Sequence, residues 1–552
     1  MPALASAGRW WEGAAGYEIY VPSFADGNGD GLGDLTGICA RLDYLAWLGI
    51  DLVWLTPFYL SPLADHGYDV AGHCRVDPRF GDAAAFGAVI AEAHRLGLRV
   101  LIDLVANHTS AEHPWFRASR SSRSSAQRDW YLWRDPAPGG GPPNNWASAF
   151  GGPAWTFDPA TAQWYLHLHL PEQPDLNWSN PHVAAAFDRV LEFWLDRGVD
   201  GFRIDVAHEL VKHPGLPDNP PRAAVPGTLR EPGTVPDWER LEHRYDLDQP
   251  GALGIHRRWR RIADRYGALL LGEVYLLHAD RLARYLMPAD GIHAAFWVQP
   301  LAIGWDPPAL GESLRQAVAA TPPGSLAWVQ GNHDDQSRPA TRFGGGEQGR
   351  RRSLAFWALI AALPGMAFCY QGEELGLTDG QIPAGQLQDP LAVRNQAPEL
   401  GRDRVRTPMP WRPGPGHGFT SASRPWLPDP GRTDADTVAA QRSDPGSYLR
   451  RFRDLLHLRR SLRLAASAPV RWLSPGSPVI GYWRPEVLVA MNGGPRDATV
   501  EVPSSATVAF SSAGSPGAAR IARDAGGHAV LTLTPDQTVI VRTDGSGFPP
   551  GG

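Results

Sequence analysis

Gly201-Phe-Arg-Ile-Asp-Val-Ala-His208 is the stretch on which the reading of this chain turns. Three apolar residues, Phe202, Ile204 and Val206, alternate with Arg203 and Asp205. Alternation with period 2 belongs to a strand and puts Arg203 and Asp205 on one face. A guanidinium two positions before an aspartate on a buried strand favours the ionised carboxylate. A carboxylate kept charged beside a pocket can attack carbon, and the same pair can equally be a structural ion pair. The surrounding chain decides between the two.

Outward from this stretch, short apolar strand signals recur at 17–22, 52–57, 100–105, 202–206, 269–274, 294–298, 326–329 and 366–370. Helical patterns lie between several of them. Leu35, Ile38, Leu42, Leu45 and Leu48 predict one helix stopped by Gly49. Asp82 can cap the next, and Asn180-Pro181 opens another that runs to Gly198. Eight strands alternating with helices predict an α/β fold, a parallel (β/α)8 TIM barrel. Its first part covers residues 1–108. Residues 109–178, rich in Gly, Pro, Trp and Ser, are too long for a plain loop and predict a small inserted domain after strand 3. The barrel resumes over 179–466, with a Pro-rich stretch from 208 to 251 expected to loop over its mouth. Residues 467–552 turn to short alternating segments, which predict a C-terminal antiparallel β-sandwich.

The 552 residues are 43% hydrophobic and 20% charged, which fits a globular chain with a large core. The net charge is −6, with no basic patch, so nucleic acid and anionic membranes are not expected partners. Lys212 is the only lysine. Three cysteines, far apart and odd in number, give neither a disulfide framework nor a CxxC metal site. The first residues show no basic-then-apolar leader, and no apolar run reaches membrane-spanning length, so a cytoplasmic location is expected.

In such a barrel the chemistry sits at the C-terminal strand ends. Those ends carry Asp103 to His108, Arg203 and Asp205, Glu273, and Asn332-His333-Asp334. Asp205, Glu273 and Asp334, with the imidazoles of His108 and His333, around one mouth favour a catalytic reading. No HExxH, Walker loop, GxGxxG or CxxC supports zinc, nucleotide or flavin chemistry.

The motifs DLVANH, GFRIDVAH, GEVY, GNHDD and QPDLN, with SPLADHGYD, PGMAFCYQGEELGL and GRDRVRTPMPW, stand in one order along nearly the whole chain. Together they resemble the signature regions of the α-amylase superfamily of glycoside hydrolases, family 13. The likeness is greatest to its α-glucosidase and oligo-1,6-glucosidase branch. The resemblance implies that Asp205 is the nucleophile, that Glu273 is the general acid and then base, and that Asp334 bridges sugar hydroxyls. It also implies that Arg203 keeps Asp205 charged and that His108 and His333 bond neighbouring hydroxyls. Tyr68 and Asp65 would form the pocket floor, with Arg402 pairing with Asp65 to close the pocket beyond the non-reducing end. The expected substrate is a short α-glucoside such as maltose, isomaltose or a malto-oligosaccharide.

In the loop from Asp26 to Asp34, oxygen side chains stand two apart, as in calcium loops, although no glutamate occupies the twelfth position. The resemblance implies a structural Ca2+ or Mg2+ there, held by Asp26, Asn28, Asp30, Asp34 and the Leu32 carbonyl; a cluster of Gly-Asp turns without an ion is the alternative. Three positions depart from the branch. His169 stands where a phenylalanine wall is usual, Arg338 follows Asp334 by four positions rather than three, and Tyr275 follows Glu273-Val274. Val206, next to the nucleophile, goes with α-1,6 bonds in relatives, but VAHEL is not the usual oligo-1,6 sequence. The expectation is therefore a maltose-type α-glucosidase. Oligo-1,6-glucosidase is the alternative, as are glucosyl-transferring or isomerising enzymes such as trehalose synthase or sucrose isomerase. A non-catalytic sugar-binding relative would have lost the nucleophile or the acid, and both are present.

Overall fold

Eight short strands, buried along nearly their whole length, build the centre of the molecule: β1 (Ala15–Ile19), β2 (Leu52–Leu55), β3 (Arg99–Leu104), β4 (Gly201–Ile204), β5 (Leu269–Gly272), β6 (Ala294–Trp297), β7 (Leu326–Trp328) and β8 (Met366–Tyr370). Parallel strands covered on both faces are expected to read as continuous apolar runs, and these do. They close into a parallel barrel in chain order, with β8 paired to β1 (Ala15 opposite Ala367). Alternate residues go to two cores. Leu52, Trp54, Leu269, Leu271 and Phe296 fill the barrel interior, while Val53, Leu55, Leu270 and Trp297 face the surrounding helices. This is a computed structural model, and it describes residues 9–543 except 224–228, 230–234, 429–430, 465–466, 475–477, 515–518 and 525–526. The chain start, the domain boundary at residue 466 and parts of the Pro-rich stretch lie outside the described residues.

Helices Ala83–Arg95 and Pro181–Leu195 begin where the caps predict: Asp82 accepts from Ala85 N–H and Asn180 from His182 N–H. The single helix expected over 35–48 is two, Leu35–Cys39 and Leu42–Leu48. A tight turn separates them, in which Ala40 N–H reaches back to Thr36 and Ile38 carbonyls. The first piece is pinned by packing: a side chain on Gly37 would lie 2.1 Å from the Ala25 carbonyl oxygen. Gly49, at φ 102°, ends the second piece as expected.

Between β3 and helix Pro181–Leu195, a short helix (Pro114–Arg120) and a three-stranded antiparallel sheet form a small separate layer. Bridges His108–Asp175 and Tyr131–Leu176 tie its end to the loop after β3. After the last barrel helix (Tyr448–Ser461), antiparallel strands make a five-stranded and a three-stranded sheet. A common apolar core, including Val539 and Val541 from one sheet and Leu531 and Leu533 from the other, joins them face to face. Helix Gly346–Ala361 lies under this unit: Ala355 and Leu359 carbonyls accept from Thr538 and Tyr482 hydroxyls. Among the described residues, no helix is long and apolar enough to cross a membrane.

Candidate active site

The side chains of the site leave the barrel at the C-terminal ends of its strands or just beyond them. β1 gives Glu18, β2 Trp54, β3 Asp103 and β4 Arg203. Asp205 follows β4 directly, Glu273 follows β5, and His333 and Asp334 lie in the loop after β7. Arg203 is the hub. Its side chain is 1% exposed. One terminal nitrogen donates to Asp103 Oδ1 and Asp205 Oδ1, both at 2.6 Å, and the other to Glu273 Oε1 at 2.5 Å. The indole of Trp54 stacks under the guanidinium, its ring centre 4.8 Å away, and its Nε1 donates to Asp103 Oδ2 at 2.8 Å. A single planar fork therefore holds Asp205 and Glu273 side by side.

Burial raises the carboxyls of both Asp205 and Glu273, and Arg203 draws both down. One cation faces three carboxyls here, so the cluster favours keeping a proton. Asp205 is raised well above its ordinary value, with the charges of Glu273 and Asp103 adding to burial and the His169 imidazolium opposing them; at Glu273 the charge of Asp334 adds to burial. Arg203 alone does not hold Asp205 ionised, as the sequence suggested, since it is shared among three partners. The backbone contributes as well. Val206 stands at φ 35°, a left-handed conformation rare for a β-branched residue. There its N–H donates to Glu273 Oε2 at 3.0 Å, while Ala207 N–H donates to the Glu273 carbonyl at 2.8 Å.

Opposite them, Asp334 Oδ1 accepts from Arg402 at 2.7 Å and Arg406 at 2.8 Å, and His333 Nε2 lies 3.2 Å from Oδ2. Burial opposes ionisation, but the guanidiniums of Arg402 and Arg406 hold this carboxyl well below its ordinary value. Arg402 also pairs with Asp65 at 3.1 Å and Asp389 at 2.9 Å, and Gln173 donates to Asp65 Oδ2 at 3.2 Å. His333 is sandwiched between Tyr68, 5.3 Å away and within 5° of parallel, and Tyr20. Its Nδ1 meets Glu18 Oε1 at 2.5 Å, and burial keeps it neutral. His108 is also neutral by burial. Its Nε2 donates to the Tyr68 carbonyl at 3.1 Å and its Nδ1 lies 3.3 Å from the Asn107 amide. Asp205, Glu273, Asp334, Asp65, Tyr68, His108 and Arg402 all line one cavity.

Residues 18–466 match the model of the α-amylase catalytic domain. The chain belongs to the α-amylase family. A probable α-glucosidase of Rhizobium meliloti is 42% identical over 508 residues, covering 90% of this chain and 91% of that protein. An oligo-1,6-glucosidase of Parageobacillus thermoglucosidasius is 35% identical, covering 82% of this chain and 84% of the relative. The crystal structure of an α-glucosyl transfer enzyme superposes with a TM-score of 0.89 at 37% identity, over 97% of this chain and 99% of the other.

Several members of this α-amylase site escape a reading of the sequence. Arg406 stands four positions after Arg402 in the same motif, and that spacing is the only signal for it. Glu18 could be flagged as the lone charge in the buried strand AGYEI. Phe150 and Glu209, from loops, and Trp238, from the short helix Pro236–Glu239, also line the cavity without a periodic cue in the sequence. Arg338 does not join the site; it donates to the Gln371 and Val405 carbonyls beneath it.

The loop from Asp26 to Asp34 is closed on its own backbone. Asp26 accepts from the N–H groups of Asn28, Gly29 and Gly31, Asp30 from Leu32, and Asp34 from Gly27, Asn28 and Gly37. Among the described residues, no group of three or more His, Cys, Asp or Glu side chains could hold a metal ion.

Proposed function

We propose that this glycoside hydrolase is an exo-acting, retaining α-glucosidase that releases glucose from the non-reducing end of short α-glucosides, with the maltose-type α-1,4 bond favoured. The observation that carries this reading is the pair of carboxyls, Asp205 and Glu273, held side by side on the guanidinium of Arg203. Asp205 attacks the anomeric carbon and forms a covalent β-glucosyl intermediate. Glu273 protonates the leaving oxygen and then takes the proton of the attacking water. Asp334, fixed by Arg402 and Arg406, meets sugar hydroxyls and stabilises the oxocarbenium-like ring. The buried Arg402 salt bridges to Asp65, Asp334 and Asp389 support a pocket closed at one end, which fits removal of one glucose at a time.

Incubation with maltose, isomaltose, sucrose and nitrophenyl α-glucoside, followed by NMR of the first-formed anomer, tests this reading. Release of α-glucose, fastest from maltose, is the expected result; β-glucose, or no turnover of any α-glucoside, would contradict it. Glucosyl transfer is the second reading, favoured by the likeness to the solved α-glucosyl transfer enzyme. It predicts disaccharide isomers in place of free glucose. For the Asp26–Asp34 loop, a calcium titration followed by thermal shift is the check. An ion that displaces the N–H contacts would raise the melting temperature, and an unchanged one leaves the loop as a cluster of turns.

A further inference from the structure

Three imidazoles surround the cavity, and their nitrogens are engaged differently. His108 has a neighbour at each nitrogen, and His333 lies between Glu18 and Asp334. His169 differs: its Nε2 meets Glu209 Oε2 at 2.9 Å, and among the described residues its Nδ1 makes no hydrogen bond. The His169 side chain is 14% exposed and lines the cavity beside Asp205, its ring centre 5.0 Å from that of His108 and 6.0 Å from that of Phe150. Glu209 is held from behind, where its carbonyl accepts from Lys212 Nζ at 2.6 Å. The pair therefore sits on a fixed backbone and presents one N–H to the bound molecule.

We propose that the His169–Glu209 pair reads one sugar hydroxyl: Nδ1–H of His169 donates to it, and the pocket thereby selects α-glucosides that carry an oxygen at that position. The inference rests on the α-glucosidase reading and names a specificity contact within it. Burial works against a charge on His169, but Glu209, with Asp175 and Asp205 behind it, raises the imidazole to about 9. The Glu209 carboxyl is in turn drawn down to about 2, chiefly by His169 against the effect of burial. Both groups are thus charged at neutral pH, and the donor is charge-assisted, about twice as strong as a neutral one. The two charges cancel, so the pair suits a hydroxyl rather than a phosphate or carboxylate substituent. Removing that hydroxyl leaves a charged donor without its partner, which corresponds to roughly a tenfold to hundredfold loss.

The test is kcat/KM on nitrophenyl α-glucoside and its four monodeoxy analogues, for the wild type, His169→Phe, His169→Gln and Glu209→Gln. The wild type should lose about tenfold to a hundredfold more at one deoxy position than His169→Phe loses there, with the penalty in His169→Phe below about threefold. Glu209→Gln should give an intermediate penalty at the same position. An identical deoxy profile in wild type and His169→Phe overturns the proposal. If His169→Phe does not fold, the same comparison is made with His169→Gln and Glu209→Gln, which keep a polar group in the wall. Should the wild type turn over no α-glucoside, the α-glucosidase reading fails by itself. Calorimetric binding of glucose and its monodeoxy forms to the same variants then decides the role of His169, with an unchanged profile again overturning it.

Discussion

Beside the nucleophile, Val206 carries strain and the His169–Glu209 pair carries charge. A β-branched residue in the left-handed region costs about 1–3 kcal/mol, and Val206 keeps that conformation while its N–H fixes Glu273. Val206→Gly removes the steric penalty at the expense of backbone entropy, so the melting temperature should hold or rise. At the same time kcat should fall, because the freer glycine backbone holds the N–H that meets the Glu273 carboxyl less firmly. Calorimetry and kinetics on the purified variant check both; a clearly lower melting temperature with full activity would refute the strain account. The His169–Glu209 pair gives a pH signature. His169 has a folded value of about 9 against 6.5 for the free group, so its stabilisation is complete below 6.5 and is lost as pH rises through 9. Glu209, at about 2 against 4.5, stabilises above 4.5 and loses that contribution as pH falls toward 2. The difference in melting temperature between wild type and His169→Phe should therefore be largest between about pH 4.5 and 6.5 and shrink above pH 9. A difference that stays flat from pH 5 to 10 would exclude a charged pair.

At the scale of elements, Lys212 joins three pieces of chain. Its ammonium meets Asp175 of the inserted layer, Asn107 of the loop after β3 and the Glu209 carbonyl, each at 2.6 Å. Lys212→Met would leave Asp175 a buried, unpaired carboxylate, a loss on the order of 3–5 kcal/mol. Chemical unfolding followed by tryptophan emission should show it, and Lys212→Met with Asp175→Asn should recover much of it. A single variant as stable as the wild type would mean the three oxygens are not a cage. The sequence carries the eight strands clearly, because parallel strands buried on both faces must be apolar. It carries helix starts at Asp82 and Asn180 because a cap is a local device. The break at Ala40–Arg41 is hidden, since the apolar spacing runs through it unbroken and the close packing of Gly37 on Ala25 is a tertiary contact. Likewise Asp205, Glu273 and Asp334 stand out at strand ends, whereas Glu209 and Phe150 act through folded loops with no periodic signal.

For the whole molecule, the C-terminal sheets act as a cover. From Ser353 to Ala361 every residue of helix Gly346–Ala361 is buried. Tyr482, Arg484 and Thr538 of the C-terminal unit hydrogen-bond to its carbonyls or to the one just after it, and Arg352 pairs with Asp536. A fragment ending at residue 466 would expose this apolar helix face to water, and such faces associate. It should appear in size-exclusion chromatography as aggregate rather than monomer. A soluble fragment that unfolds cooperatively would show that the barrel carries its own cover. A chain whose arginines do nearly all the positive work also has an unusual reactivity. The one ε-amine in 552 residues, on Lys212, is only 7% exposed and caged by oxygens. Amine-directed reagents should leave the side chains of the folded protein untouched. Acylation of Lys212 then becomes a single-site reporter, registering the moment the insert loosens from the barrel.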